Sequence, residues 1–203
     1  MARDPTLYHI TEIANLPSII ATGLVSDALI GATPHEVIGY ANIKHRRLTQ
    51  YRVPCCQNRF VGEFVPFYYC PRSPMLYTIN NGNTGKPPGH QKEIVHLVTT
   101  MSRVANLNKD WAISDGNAGA DAVSFANDVG ALDQLDWDAI QTLDWRGRTR
   151  QKQAEFLVAD SVPWTAIYGV GVMDQSAFDR VQRVLSTAQH QPQVKILRNW
   201  YYS

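Results

Sequence analysis

A single mixed α+β domain is what this sequence predicts, on three observations. Short runs rich in β-branched and aromatic residues are interleaved with segments of helical apolar period, without the regular alternation of a doubly wound fold. The turn-rich stretches, Pro71 to Pro74 and Asn80 to Gly89, are too short to separate domains, and no repeat is present, so residues 1–203 read as one unit. With 203 residues, 44% hydrophobic and 18% charged, the chain can bury a substantial core, which excludes disorder and low complexity.

The elements follow in order. Leu7 to Thr11 is expected as a short strand, and Thr11 can cap a helix whose apolar positions Ile13, Leu16, Ile19 and Ile20 keep a helical period until Gly23 stops it. Phe64 to Cys70 and Glu93 to Thr99 have the composition of core strands, and Ala154 to Ala159 with Trp164 to Val172 are expected to be neighbours in a sheet. Between them, Asp121 to Asp128 and Leu132 to Leu143 read as helical. Asp174 to Ala188 reads as an amphipathic helix turning Phe178, Val181 and Val184 or Leu185 inward, and Val194 to Tyr201 as a last strand, with the C-terminal aromatic residues packed on the core.

The longest apolar runs, Phe64 to Cys70 and Ala154 to Ala159, are far short of the ~20 residues of a membrane span, and no apolar leader follows Met1. A soluble chain is expected. Cys55, Cys56 and Cys70 are too few and too clustered for a disulfide framework, which points to a reducing cytoplasm, and Cys70 reads as a small buried hydrophobe. The cysteines also lack zinc-ligand spacing, so no metal is expected.

The net charge of +1 conceals segregation. Lys44, Arg46, Arg47, Arg52 and Arg59 lie in a stretch free of acids, as do Arg146, Arg148, Arg150 and Lys152, leaving the rest of the chain near −8. Two basic segments on an acidic body are the footprint of a protein that holds a polyanion or a phosphate-bearing ligand, although basic runs also serve as plain solvated surface.

Several common sites are absent: there is no P-loop, no GxGxxG, no HExxH and no GxSxG. What stands out instead is Tyr8-His9-Ile10-Thr11, because strand alternation puts the imidazole of His9 and the hydroxyl of Thr11 on one face. A lone strand histidine can equally be structural. The second feature is Glu155 within Gln153 to Val158, a carboxylate among apolar residues directly after a basic run. Desolvating it costs several kcal/mol unless it is paired or takes part in chemistry.

Taken in order, YHIT (Tyr8 to Thr11), NIKHRR (Asn42 to Arg47), VPFYYCPRSPMLY (Val65 to Tyr77), WAISDGNA (Trp111 to Ala118) and QAEFLV (Gln153 to Val158) resemble the DarT family. These are bacterial toxins that ADP-ribosylate bases of single-stranded DNA and are neutralised by the macrodomain antitoxin DarG. The likeness runs from about Tyr8 to Val172.

The resemblance implies the ADP-ribosyltransferase fold of the diphtheria-toxin and PARP type, an α+β core of two small mixed sheets at an angle, with NAD as substrate in the cleft between them. It implies NAD binding by His9, Thr11, Asn15, Gly23 and Leu24, with Tyr68, Tyr69 or Tyr77 stacked on the nicotinamide ring. The catalytic glutamate maps onto Glu155. The essential arginine maps onto the pair Arg46 and Arg47, with Arg47 slightly preferred. In that role a carboxylate stabilises the positive charge that develops as the nicotinamide bond breaks and can then take the proton of a ring nitrogen, while an arginine grips the pyrophosphate. The loop from Trp145 to Lys152 occupies the acceptor-recognising position, so Arg146, Arg148, Arg150 and Lys152, with Lys44, are expected on DNA phosphates and Trp145 on a base.

This chain departs from the family at Asn117, where a histidine is often found; asparagine keeps hydrogen bonding without proton transfer, which leaves thymine and guanine both open as the modified base. Thymine in an unpaired strand is the expected target, since a duplex hides the ring nitrogen. Protein or RNA as acceptor, or a single-strand-binding module without catalysis, are the competing readings. The expected partners are NAD, single-stranded DNA and a DarG-type antitoxin, for a monomeric protein.

Overall fold

The computed structural model describes residues 4–31 and 33–203. In chain order its strands and helices are β1 (Thr6–Glu12), α1 (Leu16–Thr22), β2 (Leu24–Val25), α2 (Asp27–Ile30), α3 (Ala41–Thr49), β3 (Arg52–Val53), β4 (Arg59–Phe60), β5 (Phe64–Tyr68), α4 (Pro74–Asn80), β6 (Ile94–Thr100) and α5 (Met101–Ala105). They continue with β7 (Trp111–Ser114), β8 (Phe125–Ala126), α6 (Trp137–Gln141), α7 (Thr149–Lys152), β9 (Glu155–Ala159), β10 (Ser161–Val162), β11 (Gly169–Val172), α8 (Gln175–Leu185) and β12 (Gln193–Ile196).

The eight-stranded sheet has the order β12-β11-β6-β1-β5-β9-β7-β8. It is antiparallel except for the parallel edge pair β11 and β12. β1 pairs with β6 along its whole length, from Thr6↔Thr100 to Glu12↔Ile94, but meets β5 at a single pair, Tyr8↔Tyr68. The expected two sheets are therefore two four-stranded halves joined at one point. Pro66 explains the split. Its position two residues from Tyr68 would oppose Ile10, yet proline has no N–H to give the ladder, and its carbonyl instead accepts from His9 Nδ1 at 2.8 Å.

The main core lies between the sheet and helices α1 and α8, with Leu7, Leu16, Leu97, Phe156, Val181 and Leu185 all buried. α8 is started by Asp174, whose Oδ1 accepts from Ala177 N at 2.9 Å, and it turns Ala177, Val181 and Leu185 inward, with Phe178 and Val184 half-buried at the edge. Another cluster, Ile10, Leu76, Ile79, Ile94, Tyr201 and Tyr202, holds the C-terminus against β1, β6 and α4. α1 ends as expected at Gly23, with φ at 81°, where a Cβ would stand 2.5 Å from the Val162 carbonyl oxygen.

Several expectations are corrected. The segments 154–159 and 164–172 are not neighbours: β9 lies between β5 and β7, and β11 between β6 and β12. Residues 121–128 contain no helix but the two-residue strand β8, paired to β7. Of Leu132 to Leu143 only α6 is α-helical, because Asp136 opens a new helix after a 3-10 turn by accepting from Ala139 N at 2.9 Å. The last strand ends at Ile196, and the chain then turns so that Tyr201 and Tyr202 are buried. Cys70 is buried and free. Among the described residues no helix is long and apolar enough to cross a membrane.

Candidate active site

Where β1 and β5 part, a cavity of about 350 Å³ opens between the sheet halves. Its wall is built from His9 and Thr11 on β1, the Gly23-Leu24 turn, α2, the connection to α3, Lys44 and Arg47 on α3, Pro66 and Tyr68 on β5, Asn117, and Glu155 on β9.

Glu155 is the first residue of β9, in register with Tyr68 on one side and Ser114 on the other. It is 2% exposed. Its carboxylate accepts two bonds from one guanidinium, Arg47 Nη1 to Oε1 at 3.3 Å and Nη2 to Oε2 at 3.0 Å. This paired geometry offsets the cost of burying both charges. Burial drives Arg47 toward losing its proton, but the charge of Glu155 outweighs it and holds the guanidinium above its usual range. The backbone is fixed as well: Glu155 N donates to Ser114 Oγ at 3.1 Å, and that hydroxyl donates to Gly116 O at 2.8 Å. Gly119 lets the following loop close over Arg47, since a Cβ there would lie 3.1 Å from Arg47 Cγ.

Burial lowers His9 below the usual histidine range, against the opposing effect of the Pro66 carbonyl. The ring is thus neutral near pH 7. A carbonyl can only accept, so Nδ1 carries the proton and Nε2 is left as an acceptor. Tyr68 is raised, first by burial and then by the charge of Glu155, so its hydroxyl stays protonated.

The expected site residues separate into two groups. His9, Thr11, Asn15, Gly23, Leu24, Lys44, Arg47, Tyr68 and Glu155 line the cleft. Within this group Asn15 is already engaged: it donates to Thr11 Oγ1 and Glu36 O and accepts from Glu36 N, so it holds the 33–40 segment, which forms one wall, to β1. Arg46, one position from Arg47 and about 100° round the helix, turns away to the Tyr51 hydroxyl and Asp121. Tyr69 points to the opposite sheet face, buried edge-on against Trp137 at 5.4 Å, and Tyr77 stands outside the cleft against Trp145 and Tyr202. Strand alternation makes Tyr68 and Tyr69 mutually exclusive as cleft residues.

Folding largely neutralises the basic segments. Of the nine cations, six meet a carboxylate: Lys44 with Asp27, Arg46 with Asp121, Arg47 with Glu155, Arg59 with Asp160, Arg146 with Asp144 and Arg150 with Asp115. Lys152, expected on DNA, is 2% exposed, and its ammonium donates to Ile140 O at 2.6 Å and Thr142 O at 2.7 Å. Burial pulls it below the usual lysine range. It is a strut inside the loop. Arg148 is exposed and makes no ion pair among the described residues. The sequence reading missed Ser114, which fixes Glu155, and Asp27, the counter-ion of Lys44. Ser114 was findable, as the polar end of a β-branched and aromatic run; Asp27 carries no local signal.

A family model described as "ssDNA thymidine ADP-ribosyltransferase, DarT" matches residues 8–202. A DNA ADP-ribosyl transferase of Thermus aquaticus is 36% identical over 201 residues, which span 98% of this chain and 90% of that protein. The solved structure of Thermus sp. 2.9 DarT in complex with ADP-ribosylated ssDNA has a TM-score of 0.91 at 34% identity, covering 100% of both chains. The same protein in complex with NAD+ gives 0.85 at 32% identity over 98% of both. A Thermosipho africanus DNA ADP-ribosyl transferase and DNA ADP-ribosyl glycohydrolase fusion protein is 26% identical over 186 residues, 89% of this chain and 45% of its own length.

Proposed function

Because this chain belongs to the DarT family of ssDNA thymidine ADP-ribosyltransferases, we propose that it transfers ADP-ribose from NAD to thymine in single-stranded DNA and acts as a sequence-selective toxin. The observation that carries this reading is the buried Arg47–Glu155 pair in a cleft between the parted halves of the sheet. NAD supplies the ADP-ribosyl group and gives up its nicotinamide.

The residues present fit that substrate. Neutral His9 offers Nε2 as an acceptor for a ribose hydroxyl, and Thr11, Gly23 and Leu24 form the wall beside it. Of the three tyrosines expected on the nicotinamide ring, Tyr68 is the one that lines the cleft, which supports it rather than Tyr69 or Tyr77 in the stacking role. Arg47 fits the pyrophosphate while staying within reach of Glu155. Glu155 hydrogen-bonds the ribose hydroxyls, stabilises developing positive charge at the reacting carbon and then removes the proton from the thymine ring nitrogen. Asn117 lines the same cleft, its Oδ1 accepting from Gly119 N at 2.8 Å.

Residues 1–203 then form one ADP-ribosyltransferase domain, monomeric and cytoplasmic. A macrodomain antitoxin of DarG type is its partner, a reading supported by the Thermosipho chain that joins a transferase to a glycohydrolase.

The test is the intact mass of short oligonucleotides after incubation with NAD, comparing T-containing, T-free and G-free single strands with a duplex. One ADP-ribose on unpaired T-containing strands alone is the expected result. Modification of a T-free strand containing G moves the base to guanine; nicotinamide release without any DNA adduct moves the acceptor to protein or RNA; no turnover leaves a binding module.

A further inference from the structure

We propose that Arg72, Tyr77, Trp145 and Tyr202 form a second nucleotide subsite, which holds the base and phosphate next to the thymine being modified. This rests on the single-stranded DNA reading and adds to it a specific place for the flanking nucleotide.

Tyr202 is the fixed floor. Its backbone is held in both directions by the buried amide of Gln91, with Tyr202 N donating to Oε1 at 2.9 Å and Nε2 donating to Tyr202 O at 2.5 Å. Its hydroxyl reaches Arg72 O at 3.0 Å. Tyr77 stands edge-on to it at 5.1 Å, and Trp145 stands edge-on to Tyr77 at 5.5 Å. Tyr77 is nevertheless 42% exposed. Held between two aromatic neighbours while a large part of it stays open to solvent, Tyr77 suits stacking with a base.

The charge is complementary as well. The Arg72 guanidinium lies over the Tyr202 ring with its carbon 4.6 Å from the centroid. Its Nε is buried and has no hydrogen-bond partner. No ion pair to Arg72 is formed among the described residues, and the carboxylate beside Trp145, Asp144, is bonded through both oxygens to Arg146. A guanidinium beside a stacking plate, without a carboxylate, suits a phosphodiester.

Helix α4 places this cluster beside the reacting centre. Met75 lines the cleft and Tyr77 stands on the cluster, two residues and about 200° apart on one helix. α4 thus presents one side to the cleft and another to the cluster, and a strand that leaves its thymine at Glu155 crosses α4 to reach Tyr77.

The experiment measures oligonucleotide KM for adduct formation as salt is varied. It uses the unsubstituted protein, Tyr77→Ala, Tyr77→Phe and Arg72→Gln, on strands carrying thymine with an abasic sugar on its 5′ or its 3′ side. Loss of a stacked base raises KM roughly tenfold, so Tyr77→Ala is expected to raise it about that much and Tyr77→Phe to keep the original value. Arg72→Gln is expected to flatten the slope of log KM against log salt by about 0.7, the loss of one single-strand phosphate, while Tyr77→Ala leaves the slope alone. On the unsubstituted protein an abasic sugar on one side of the thymine should raise KM as Tyr77→Ala does, and the two changes together should add nothing. That arm needs no altered protein and so stands even where a variant fails to fold. Adduct formation indifferent to both abasic positions, or an unchanged salt slope in folded Arg72→Gln, overturns the subsite alone. No adduct on any strand overturns the function itself, and the subsite with it.

Discussion

At Glu155 the chain buries a carboxylate whose only ion-pair partner among the described residues is Arg47, so the two substitutions are not equivalent. Glu155→Gln keeps the side-chain shape and one acceptor oxygen for Arg47, and is expected to remain folded while nicotinamide release falls at least 100-fold, in line with losing an aimed electrostatic group. Arg47→Ala leaves the carboxylate buried without a partner and is expected to cost activity and, in addition, about 3 kcal/mol of stability, seen as a lowered melting temperature. Equal melting temperatures for the two variants would refute this account of the pair. His96 gives the pH behaviour of the fold. It is fully buried, its Nε2 donates to Pro71 O at 2.9 Å, and burial lowers its pKa from 6.5 to about 4. Between those values the unfolded chain binds the proton and the folded one does not, so stability is complete above about 6.5 and is lost as pH falls toward 4. The loss amounts to roughly 3 kcal/mol from this residue. Denaturant titrations from pH 7 to 4 should show a shallower acid limb in His96→Gln than in the unsubstituted protein.

Among the elements, the loop between α6 and β9 shows most clearly how local sequence and fold diverge. Its basic run reads as a DNA-facing surface, yet Lys152 is turned inward, where its ammonium ties the carbonyls at the end of α6 to the residues just before Glu155. A cation at a helix C-terminus is favourable, and here it also fixes the exit of the loop. Lys152→Met is expected to leave both carbonyls unsatisfied and to destabilise the protein by about 2 kcal/mol, with faster protease cleavage between residues 143 and 148. Unchanged cleavage would show that the strut is dispensable. The strand β1 behaved oppositely: its alternation was legible, and His9 and Thr11 do share the cleft. Residues 121–128 carry a short strand and no helix because so short an apolar run has no period strong enough to separate helix from strand, and pairing with β7 decides it.

For the whole molecule, charge counted along the chain and charge available in the fold differ. Nine free cations on single-stranded DNA would give a slope near −6 in log affinity against log salt. With six of them paired to carboxylates and Lys152 buried, Arg52 and Arg148 remain, so a slope of about −1.4 is expected, and a salt titration of oligonucleotide KM measures it. A slope near −6 would mean that DNA displaces the internal pairs. The sequence by itself determined the α+β class, the strand that carries His9 and Thr11, the Gly23 stop, the isolated carboxylate at Glu155 and the ordered motifs of the DarT family. These are properties of local period, composition and residue order. Only the tertiary structure decided that Arg47 and not Arg46 meets Glu155, that Tyr68 and not Tyr69 or Tyr77 lines the cleft, and which cations remain free. Each of those choices depends on partners distant in sequence, such as the 108 positions between Arg47 and Glu155, and on the direction a side chain takes once helix and sheet are packed.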